Sequence, residues 1–469
     1  MTMHGYMAAL IMAADSVPSS HQPILPIDSF GAYPTGFQTL IALASLLGGM
    51  PVYRSALLME AATLALLTLA FYSFLRIYWS RPISAMAAFL VTFIPRNPQA
   101  FVQWGGDPTL LALALLVIAL KYLPRLRQRL NPGDWGLCSL FIAASILTHL
   151  IPVIGFFYSV IPLALYLSVS GRADWKGEAP LVVRNLLGVG MLTLLLLMPS
   201  LPHLLSGEVS TAEVEWVRRF QQEWSGGAWG GTIGNAVVTI PVYLVEKVFG
   251  GPFLVLSGLG LLILAIQRPR FGVASAIYVL TVLVLIMNSM YWLLPISYAL
   301  YPERVALLLL FPCAFGVAAL LDGIHRILAR SWMAVAIMAA LILWRGVYHN
   351  ERLLYKQVLP NALLTQADLN AMRWIKEQTD VGAVFHNRYG DAGLWIPAIA
   401  FRAITDPHLS PFYFDEFRAA ATNLSAKYVY IGKRKVLGEP IALAEFESAP
   451  GTYQKVYEHD GVTIYEIIH

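Results

Sequence analysis

The sequence predicts an all-α polytopic membrane bundle of about ten spans, followed by a C-terminal soluble α/β domain. Hydrophobic residues make up 57% of the 469 positions and charged residues only 13%, whereas soluble domains are about 25% charged. Apolar runs of nearly span length recur through the first three quarters of the chain. A balanced mixture of charges then returns near Glu351.

This composition excludes several classes of protein. A soluble chain this apolar could not cover its surface with polar groups, so lipid must solvate much of it. The formal net charge of +4 is small and scattered, which argues against a nucleic-acid partner. No GxxxxGK[ST] motif occurs, so an ATP-driven machine of the P-loop type is also excluded.

Ten apolar runs between residues 36 and 350 account for the predicted transmembrane bundle. They fall at 52–77, 83–102, 107–123, 135–150, 152–168, 183–200, 252–267, 271–290, 303–322 and 331–346. Several runs are shorter than the roughly 20 residues of a full span. Pro152 is either a boundary between two spans or a kink within one. Two weaker runs, 36–49 and 236–249, are interpreted as a half-depth helix and an interfacial segment.

The loop charges predict the orientation of the bundle. One alternating set of loops carries Arg76, Arg81, Lys121, Arg125, Arg127, Arg129, Arg172, Lys176, Arg184, Arg268, Arg270, Arg326 and Arg330. The other set carries only Arg54, Arg96, Arg218, Arg219, Lys247 and Arg304. Because cytoplasmic loops are enriched in Lys and Arg, the first set is predicted to face the cytoplasm. The protein is therefore expected in the cytoplasmic membrane, with its C-terminal domain on the non-cytoplasmic side.

Residues 351–469 are predicted to form this soluble domain. An amphipathic helix is expected over Leu363–Gln378 and short buried strands over Val381–Phe385 and Lys427–Ile431. In the segment Gln454–Ile467, apolar and polar residues alternate on both sides of Asp460-Gly461. This pattern predicts a β-hairpin with a tight turn.

Residues 1–35 are predicted to form an outer loop with a surface helix. The apolar segment Met1–Ala14 is too short to span a bilayer. It also lacks the basic n-region and cleavage site of a signal peptide.

Ionisable residues of several loops are predicted to meet at the outer membrane face, where they would line one cavity. They are Asp15, Asp28, Asp107, His149, Glu303 and Arg304. Charged groups near the bilayer are costly, so their placement indicates function. A guanidinium at a helix mouth suits a bidentate phosphate contact, which makes Arg304 the strongest functional candidate.

Each candidate also has a purely structural interpretation. Asp15 and Asp28 are acids in a Pro/Ser-rich loop, where turn formation is common. Asp107 precedes Pro108, as a helix N-cap would. His149 could bond only to backbone, and Arg304 could pair with Glu303.

A further acid, Glu60, lies well inside a predicted span. We expect it to find a partner within the bundle.

Four segments in order resemble the GT-C superfamily of membrane glycosyltransferases, which use polyprenyl-phosphate-linked sugars as donors. They are HGYMAALIMAADSVPSSHQPILPIDSFGAYPTGFQTLIAL, WGGDPTLLALALLVIAL, YPERVALLLLFPCAFGVAALLD, and the tail with AMRWIKEQTDVGAVFHNRYGDAGLWIPAIAFR and KVYEHDGVTIYEI. Two departures stand out: the first transmembrane helix of the family is not found ahead of the outer loop, and Gln38 occupies a position where histidine is more typical.

The resemblance implies an inverting transfer of a sugar from a polyprenyl-phosphate donor to an acceptor outside the cytoplasm. Asp15 or Asp28 would then be the catalytic carboxylate, as a general base or as a ligand of a divalent metal such as Mg²⁺ or Mn²⁺. Arg304 and His149 would bind the donor phosphate, and Asp107 and Glu303 would line the cavity. The loop from His386 to Gly393 is a weaker candidate, interpreted as an Asn/Gly-rich surface loop.

Two alternatives remain at this stage. The chain could be a catalytically inactive GT-C-like subunit bound to a membrane protein partner. It could also be a transporter or flippase of lipid-linked substrates, although the sequence contains no convincing inverted repeat.

Overall fold

The computed structural model describes most of the chain as two compact units. The described residues are 2–18, 20, 24, 33–122, 125, 130–169, 175–205, 240–287, 302–327, isolated positions between 333 and 348, 362–388, 390–406, 425–434 and 442–468. One unit, here called the domain unit, comprises Met1–Phe30, Phe37–Met59 and Glu351–His469. The other, the bundle unit, comprises Gly31–Gly36 and Glu60–Asn350.

Helices dominate the described residues up to 327. They are α1 Thr2–Ala14, α2 Gly36–Gly48, α3 Val52–Leu75, α4 Arg81–Phe93, α5 Arg96–Trp104, α6 Asp107–Leu120, α7 Pro132–Thr148, α8 Leu150–Val169, α9 Trp175–Leu197, α10 Leu201–Leu205, α11 Gly251–Gln267, α12 Pro269–Met287, α13 Pro302–Ala306 and α14 Leu310–Ile327. A short π-helical segment covers Leu244–Val248, and a 3₁₀ turn over Leu307–Leu309 joins α13 to α14.

The prediction of several apolar membrane helices is confirmed. Four helical segments of the described residues are long and apolar enough to cross a membrane: Val52–Leu75, Pro180–Ser200, Pro269–Met287 and Pro302–Ile327. Shorter apolar helices cover His4–Ala14, Gly36–Gly48, Arg81–Phe93, Asp107–Leu120 and Leu150–Pro162. The count of about ten spans therefore remains a prediction.

One predicted span is broken into two helices. The apolar run 83–102 becomes α4 and α5, which are separated at Ile94 and Pro95. Ile94 still has helical backbone and ends α4 as its C-cap, whereas Pro95 is extended (ψ 153°) and lacks the N–H that would continue the helix. The run 331–346 falls mostly outside the described residues.

The helical segment Pro302–Ile327 lies at the centre of the bundle unit. Its most apolar window is 83% buried, whereas that of Pro269–Met287 is only 17% buried. Phe311 and Phe315 of α14 pack edge-to-face against Phe74 of α3, with ring centroids 6.2 and 5.5 Å apart. The exposed helices carry apolar side chains outward, as expected for a surface that contacts lipid.

Two glycines allow α11 and α14 to pack in backbone contact. A Cβ on Gly260 would lie 1.7 Å from the carbonyl oxygen of Gly316. A Cβ on Gly316 would lie 2.2 Å from the carbonyl oxygen of Ser257. Small residues at such crossings are the usual means by which membrane helices approach closely, since apolar surface alone gives no driving force in lipid.

The domain unit contains a five-stranded mixed sheet. The strands are β1 Val384–His386, β2 Ala403–Ile404, β3 Tyr428–Ile431, β4 Tyr453–His459 and β5 Val462–Ile467, in the order β2-β1-β3-β5-β4. β1 pairs in parallel with β2 and β3, and β5 pairs antiparallel with β3 and β4. The predicted hairpin is confirmed: Asp460 and Gly461 both have positive φ in the turn between β4 and β5.

The predicted amphipathic helix is present as α15, Gln366–Gln378. It begins three residues later than expected because Thr365 is its N-cap. The Thr365 hydroxyl accepts from the backbone N–H of Asp368, and the Asp368 carboxylate accepts from the N–H of Thr365. Two short helices, α16 Ile396–Ile399 and α17 Leu443–Glu447, complete the described elements.

The interpretation of the segment from His386 to Gly393 as a surface loop is wrong. His386, Asn387, Arg388 and Asp391 are all buried. Asn387 bonds to both backbone groups of Asp406 (2.7 and 3.0 Å). The Asn387 side chain is inside the domain because it satisfies backbone groups at the end of a strand, and His386 contacts the Thr405 hydroxyl.

Asp391 accepts from the N–H groups of Gly393 (2.7 Å) and Gly432 (3.0 Å). Burial nevertheless raises the pKa of Asp391 to about 7. The residue therefore holds two backbone segments of the domain together.

The N-terminal helix α1 packs against the C-terminal part of the domain unit. Tyr6, Met7 and Leu10 are buried, and a Cβ on Gly5 would lie 2.9 Å from the Trp395 ring. Further along the chain, Ile404 donates its N–H to the Ile24 carbonyl (3.0 Å). The helix is thus less exposed than the sequence predicted, because its apolar face is covered by protein.

The close contact of α11 with α14 leads to a first prediction. Gly260→Ala should lower the unfolding midpoint of the detergent-solubilised protein, because overpacking typically costs about 1–3 kcal/mol and here the obstacle is rigid backbone. Gly258→Ala on the same helix is the matched control, since its Cβ would meet nothing within 4 Å. Thermal unfolding monitored by size-exclusion chromatography measures both variants. Equal midpoints would contradict the assigned contact.

Candidate functional site

The centre of the candidate site is a contact between His149 and Arg304. His149 ends α7 as its C-cap, with extended backbone (φ −166°). Arg304 lies in α13, at the entrance to the central helix. The Arg304 guanidinium Nη1 lies 2.8 Å from Nε2 of the imidazole. His149 is only 4% exposed, so this contact is largely shielded from solvent.

Both nitrogens of His149 face hydrogen-bond donors. The backbone N–H of Ile151 approaches Nδ1 at 3.3 Å, while Arg304 approaches Nε2. A neutral imidazole can accept at only one nitrogen, and a protonated one at neither. The contact therefore holds a guanidinium and an imidazole, two groups that can donate to the same anion, next to each other. Guanidinium groups bind phosphate oxygens through paired, charge-assisted hydrogen bonds.

The segment before α2 positions an aromatic ring at this contact. The Tyr33 ring meets His149 edge-on, with centroids 6.1 Å apart. Gly36 packs directly on the end of α7, where a Cβ would lie 2.7 Å from the carbonyl oxygen of Leu147. Close backbone packing at Gly36 therefore holds Tyr33 next to the imidazole.

Asp107 is a buried acid without hydrogen-bond partners among the described residues. Its exposed fraction is 0%, and neither carboxylate oxygen accepts a hydrogen bond. The N-cap interpretation is wrong: Gly106 is the N-cap of α6, and Asp107 is the first helical residue. Glu60 of α3 lies close enough for the two carboxyl groups to interact electrostatically. Two neighbouring acids in apolar surroundings are costly unless they bind something.

Glu303 has a neighbour besides the adjacent Arg304. Its carboxyl group lies beside the Tyr243 hydroxyl. Tyr243 is buried next to the π-helical segment, which contacts α13. The two consecutive charges thus contact different elements, with Arg304 against His149 and Glu303 against Tyr243.

The described residues form two pairs, His149 with Arg304 and Asp107 with Glu60. That these pairs share one cavity with the two predicted catalytic acids remains a prediction.

Asp15 belongs to the domain unit, where it follows α1 in the left-handed region (φ 52°) and is exposed. Asp28 lies outside the described residues. Gln38 is also in the domain unit and is buried, with its amide nitrogen 2.9 Å from Nδ1 of His4.

The described residues contain no group of three His, Cys, Asp or Glu side chains arranged to hold a metal ion. Asp107 and Glu60 do supply two hard oxygen donors, and both oxygens of Asp107 lack partners in this part of the chain. Carboxylates are the ligands that Mg²⁺ and Mn²⁺ prefer. Two carboxylates are too few to form a complete site, so the described residues alone show no binding site for a divalent cation.

Sequence reasoning placed His149 and Arg304 together in one predicted cavity, and the structure brings the two side chains into contact. It did not foresee the roles of Tyr33 and Glu60. Glu60 carried a signal, because an acid in the middle of an apolar run indicates a functional position. Tyr33 carried none, since aromatic residues are common near membrane interfaces.

Solved structures share this fold. The oligosaccharyltransferase of Archaeoglobus fulgidus in its apo form superimposes with a TM-score of 0.56 at 15% identity, covering 92% of this chain and 65% of that one. ArnT from Cupriavidus metallidurans gives a TM-score of 0.55 at 12% identity in its apo state, covering 99% of this chain and 92% of that one. ArnT bound to undecaprenyl phosphate gives 0.53 at 12% identity, covering 98% and 92%. No protein-family model matches the sequence, and neither does any curated protein.

Both neighbours are GT-C glycosyltransferases, so the resemblance seen in the sequence is confirmed for the fold. At 12–15% identity the similarity extends to the fold alone. The chain spans about two thirds of the length of the A. fulgidus protein and nearly all of ArnT.

Proposed function

We propose that this protein is an inverting membrane glycosyltransferase that moves a sugar from a polyprenyl-phosphate donor to an acceptor outside the cytoplasm. The observation that carries this proposal is the contact of Arg304 with His149, which places a guanidinium and an imidazole side by side, shielded from solvent, at the mouth of the central helix. A phosphate is the anion that such a pair suits best. ArnT, which shares the fold, has been solved with undecaprenyl phosphate bound.

Arg304 and His149 would act on the leaving group. As the bond between the sugar C1 and the phosphate oxygen breaks, the electron pair remains on that oxygen. The guanidinium of Arg304 stabilises the growing negative charge. His149 would hold the guanidinium in position beside the leaving phosphate. Tyr33 limits the movement of the imidazole ring.

A carboxylate would activate the acceptor. It accepts the proton of the acceptor hydroxyl while that oxygen attacks C1 from the face opposite the phosphate, which inverts the anomeric configuration. Asp15 and Asp28 are the candidates from the sequence. Asp107 is the candidate favoured by the geometry of the bundle unit, because its buried oxygens have no partners among the described residues.

A divalent cation at this site would need ligands besides Asp107 and Glu60. A bound cation would supply charge neutralisation of the donor phosphate. The A. fulgidus oligosaccharyltransferase has also been solved with Zn and sulfate, at 15% identity, a TM-score of 0.56, and coverage of 99% of this chain and 69% of that one.

The proposed orientation places the domain from residue 351 onward on the non-cytoplasmic side of the cytoplasmic membrane. The excess of Lys and Arg in the alternate loops supports it.

The orientation predicts the accessibility of introduced cysteines. Ser448→Cys should react with an impermeant maleimide in intact cells, because Ser448 is exposed in the domain. Arg270→Cys is the matched control, exposed but predicted to be cytoplasmic, and should react only after permeabilisation. Cys138 and Cys313 are both buried and contribute little background. The reverse pattern would overturn the orientation.

Substitution of Arg304 should weaken donor use in a graded manner. Arg304→Ala should raise the donor KM by about tenfold or more, since hydrogen bonds to charged groups contribute about 1.5–3 kcal/mol. Arg304→Lys should raise the donor KM less than Arg304→Ala does. Lysine keeps the positive charge, although it lacks the planar fork of the guanidinium. Label transfer from polyprenyl-phosphate sugars in membranes measures both.

Arg54→Ala is the control for the Arg304 variants, because Arg54 is an exposed cation predicted on the same side. An Arg304→Ala variant with the donor KM of the wild type would argue against phosphate binding there.

The carboxylate variants distinguish the base from its neighbours. Replacing the true base should lower kcat by about 10²–10⁴-fold while donor binding stays nearly constant. Asp107→Asn is compared with the double variant Asp15→Asn and Asp28→Asn in the same transfer assay. Wild-type kcat in both would place the base elsewhere. Absence of transfer by the wild-type protein with every polyprenyl donor would sink the proposed activity.

A further inference from the structure

A polar cavity that opens to solvent lies in the bundle unit, in elements other than those that carry His149 and Arg304. Its volume is about 570 Å³, and its lining residues are Tyr72, Ser73, Arg76, Ile77, Arg81, Lys121 and Arg125. These residues come from the end of α3, the start of α4, and the end of α6 with the turn that follows. Four of the seven lining side chains are cationic, whereas none is acidic.

Two of the four cations already have protein partners. Arg125 pairs with Asp134 at 3.3 Å, and Arg76 donates to the carbonyl oxygen of Trp79. Arg81 and Lys121 form no hydrogen bond or ion pair within the described part of the chain. The cavity therefore carries positive charge that nothing in this part of the protein neutralises.

The enrichment of Lys and Arg in cytoplasmic loops does not by itself explain why these four cations surround one cavity. Arg268 and Arg270 belong to the same predicted cytoplasmic set and, like Arg81, are exposed. The four cations of the cavity differ from them because they come from three elements and surround one volume. Like charges held together repel each other unless an anion lies between them.

The cavity is separate from the candidate catalytic site. Helix α6 carries Asp107 at its first residue and is followed by Lys121 at its C-cap. Its 14 residues correspond to a length of about 21 Å at 1.5 Å per residue. A ligand in the basic cavity would thus bind at the other end of α6 from Asp107.

The other lining residues indicate the class of ligand. The hydroxyl groups of Tyr72 and Ser73 can donate to oxygens of an anion, in addition to the cations. Ile77 offers apolar surface at the edge of the cavity and is 38% exposed. Basic pockets between transmembrane helices on the cytoplasmic side are typical binding places for phospholipid head groups.

We propose that this cavity binds a phosphate-bearing anion on the side of the membrane predicted to be cytoplasmic, with Arg81 and Lys121 as the principal ligands. The ligand is either an anionic lipid head group or a free phosphate, and both share the chemistry described. Binding would tie the end of α3, the start of α4 and the end of α6 together. It requires neither transfer of a sugar nor occupation of the contact between His149 and Arg304.

The test uses the full-length protein in a neutral maltoside detergent. Its unfolding midpoint is measured during titration with dioctanoyl phosphatidic acid, dioctanoyl phosphatidylcholine and inorganic phosphate, because a ligand that binds the folded state raises the midpoint. The double variant Arg81→Gln with Lys121→Gln removes the two unpaired cations. The matched control is Arg268→Gln with Arg270→Gln, which removes the same charge from exposed positions on the same predicted side.

Phosphatidic acid should stabilise the wild type and the control alike, and phosphatidylcholine should do so much less. Each cation near a membrane surface contributes about fivefold in affinity, so loss of Arg81 and Lys121 should weaken binding about 25-fold. Exchange of both for the other cation, Arg81→Lys with Lys121→Arg, should preserve most of the binding. Equal stabilisation by inorganic phosphate would identify a free phosphate as the ligand, and stabilisation by the lipid alone would identify a head group.

Two results would overturn the proposal. One is equal stabilisation of all variants by phosphatidic acid, which would mean that the anion binds elsewhere. The other is a wild-type protein whose midpoint responds to neither phosphatidic acid nor inorganic phosphate.

Discussion

The backbone contact between α11 and α14 is the constraint on which the bundle depends. Gly260 and Gly316 remove the side chains that would hold these two helices apart. The segment Pro302–Ile327 can then occupy the centre of the bundle unit, where it is the most buried of the apolar helices long enough to span a membrane. Arg304 stands at the start of that segment, so the packing of two apolar helices also determines where the guanidinium meets His149. A glycine far from the candidate site thereby contributes to its geometry.

Two buried acids of the domain unit have hydrogen-bond partners, whereas one buried acid of the bundle unit has none among the described residues. In the domain unit, Asp368 accepts from Tyr430 (2.8 Å) and Lys433 (3.2 Å), and Asp391 accepts from two backbone N–H groups. These acids hold strands and loops together, and their hydrogen bonds offset much of the free-energy cost of burial. In the bundle unit, Asp107 lacks hydrogen-bond partners within the described residues. Unsatisfied groups of this kind reduce stability, and proteins retain them where they bind or react.

Local patterns predicted local structure well. The Asp460-Gly461 turn needed only the preference of Gly for positive φ and alternation on either side, and the hairpin is present. Other predictions failed where contacts with residues distant in the chain determine the local structure. Asp107 before Pro108 suited an N-cap, yet Gly106 has that role because the Asp107 side chain is turned into apolar surroundings. The segment at Asn387 was polar enough for a surface loop but is buried, since the Asn387 side chain bonds to backbone groups that are remote in the chain.

The sequence by itself determined the membrane environment, the α/β character of the tail and the identity of the ionisable residues near the membrane. Composition, periodicity and turn chemistry are properties of neighbouring residues, and the physics that acts on them is local. Only the tertiary structure decided which of those residues meet. His149 and Arg304 are separated by 155 positions, and Arg81 and Lys121 come from different helices around one cavity. Such contacts depend on helix packing, which a single sequence does not display because the close approach of two glycines leaves no periodic pattern.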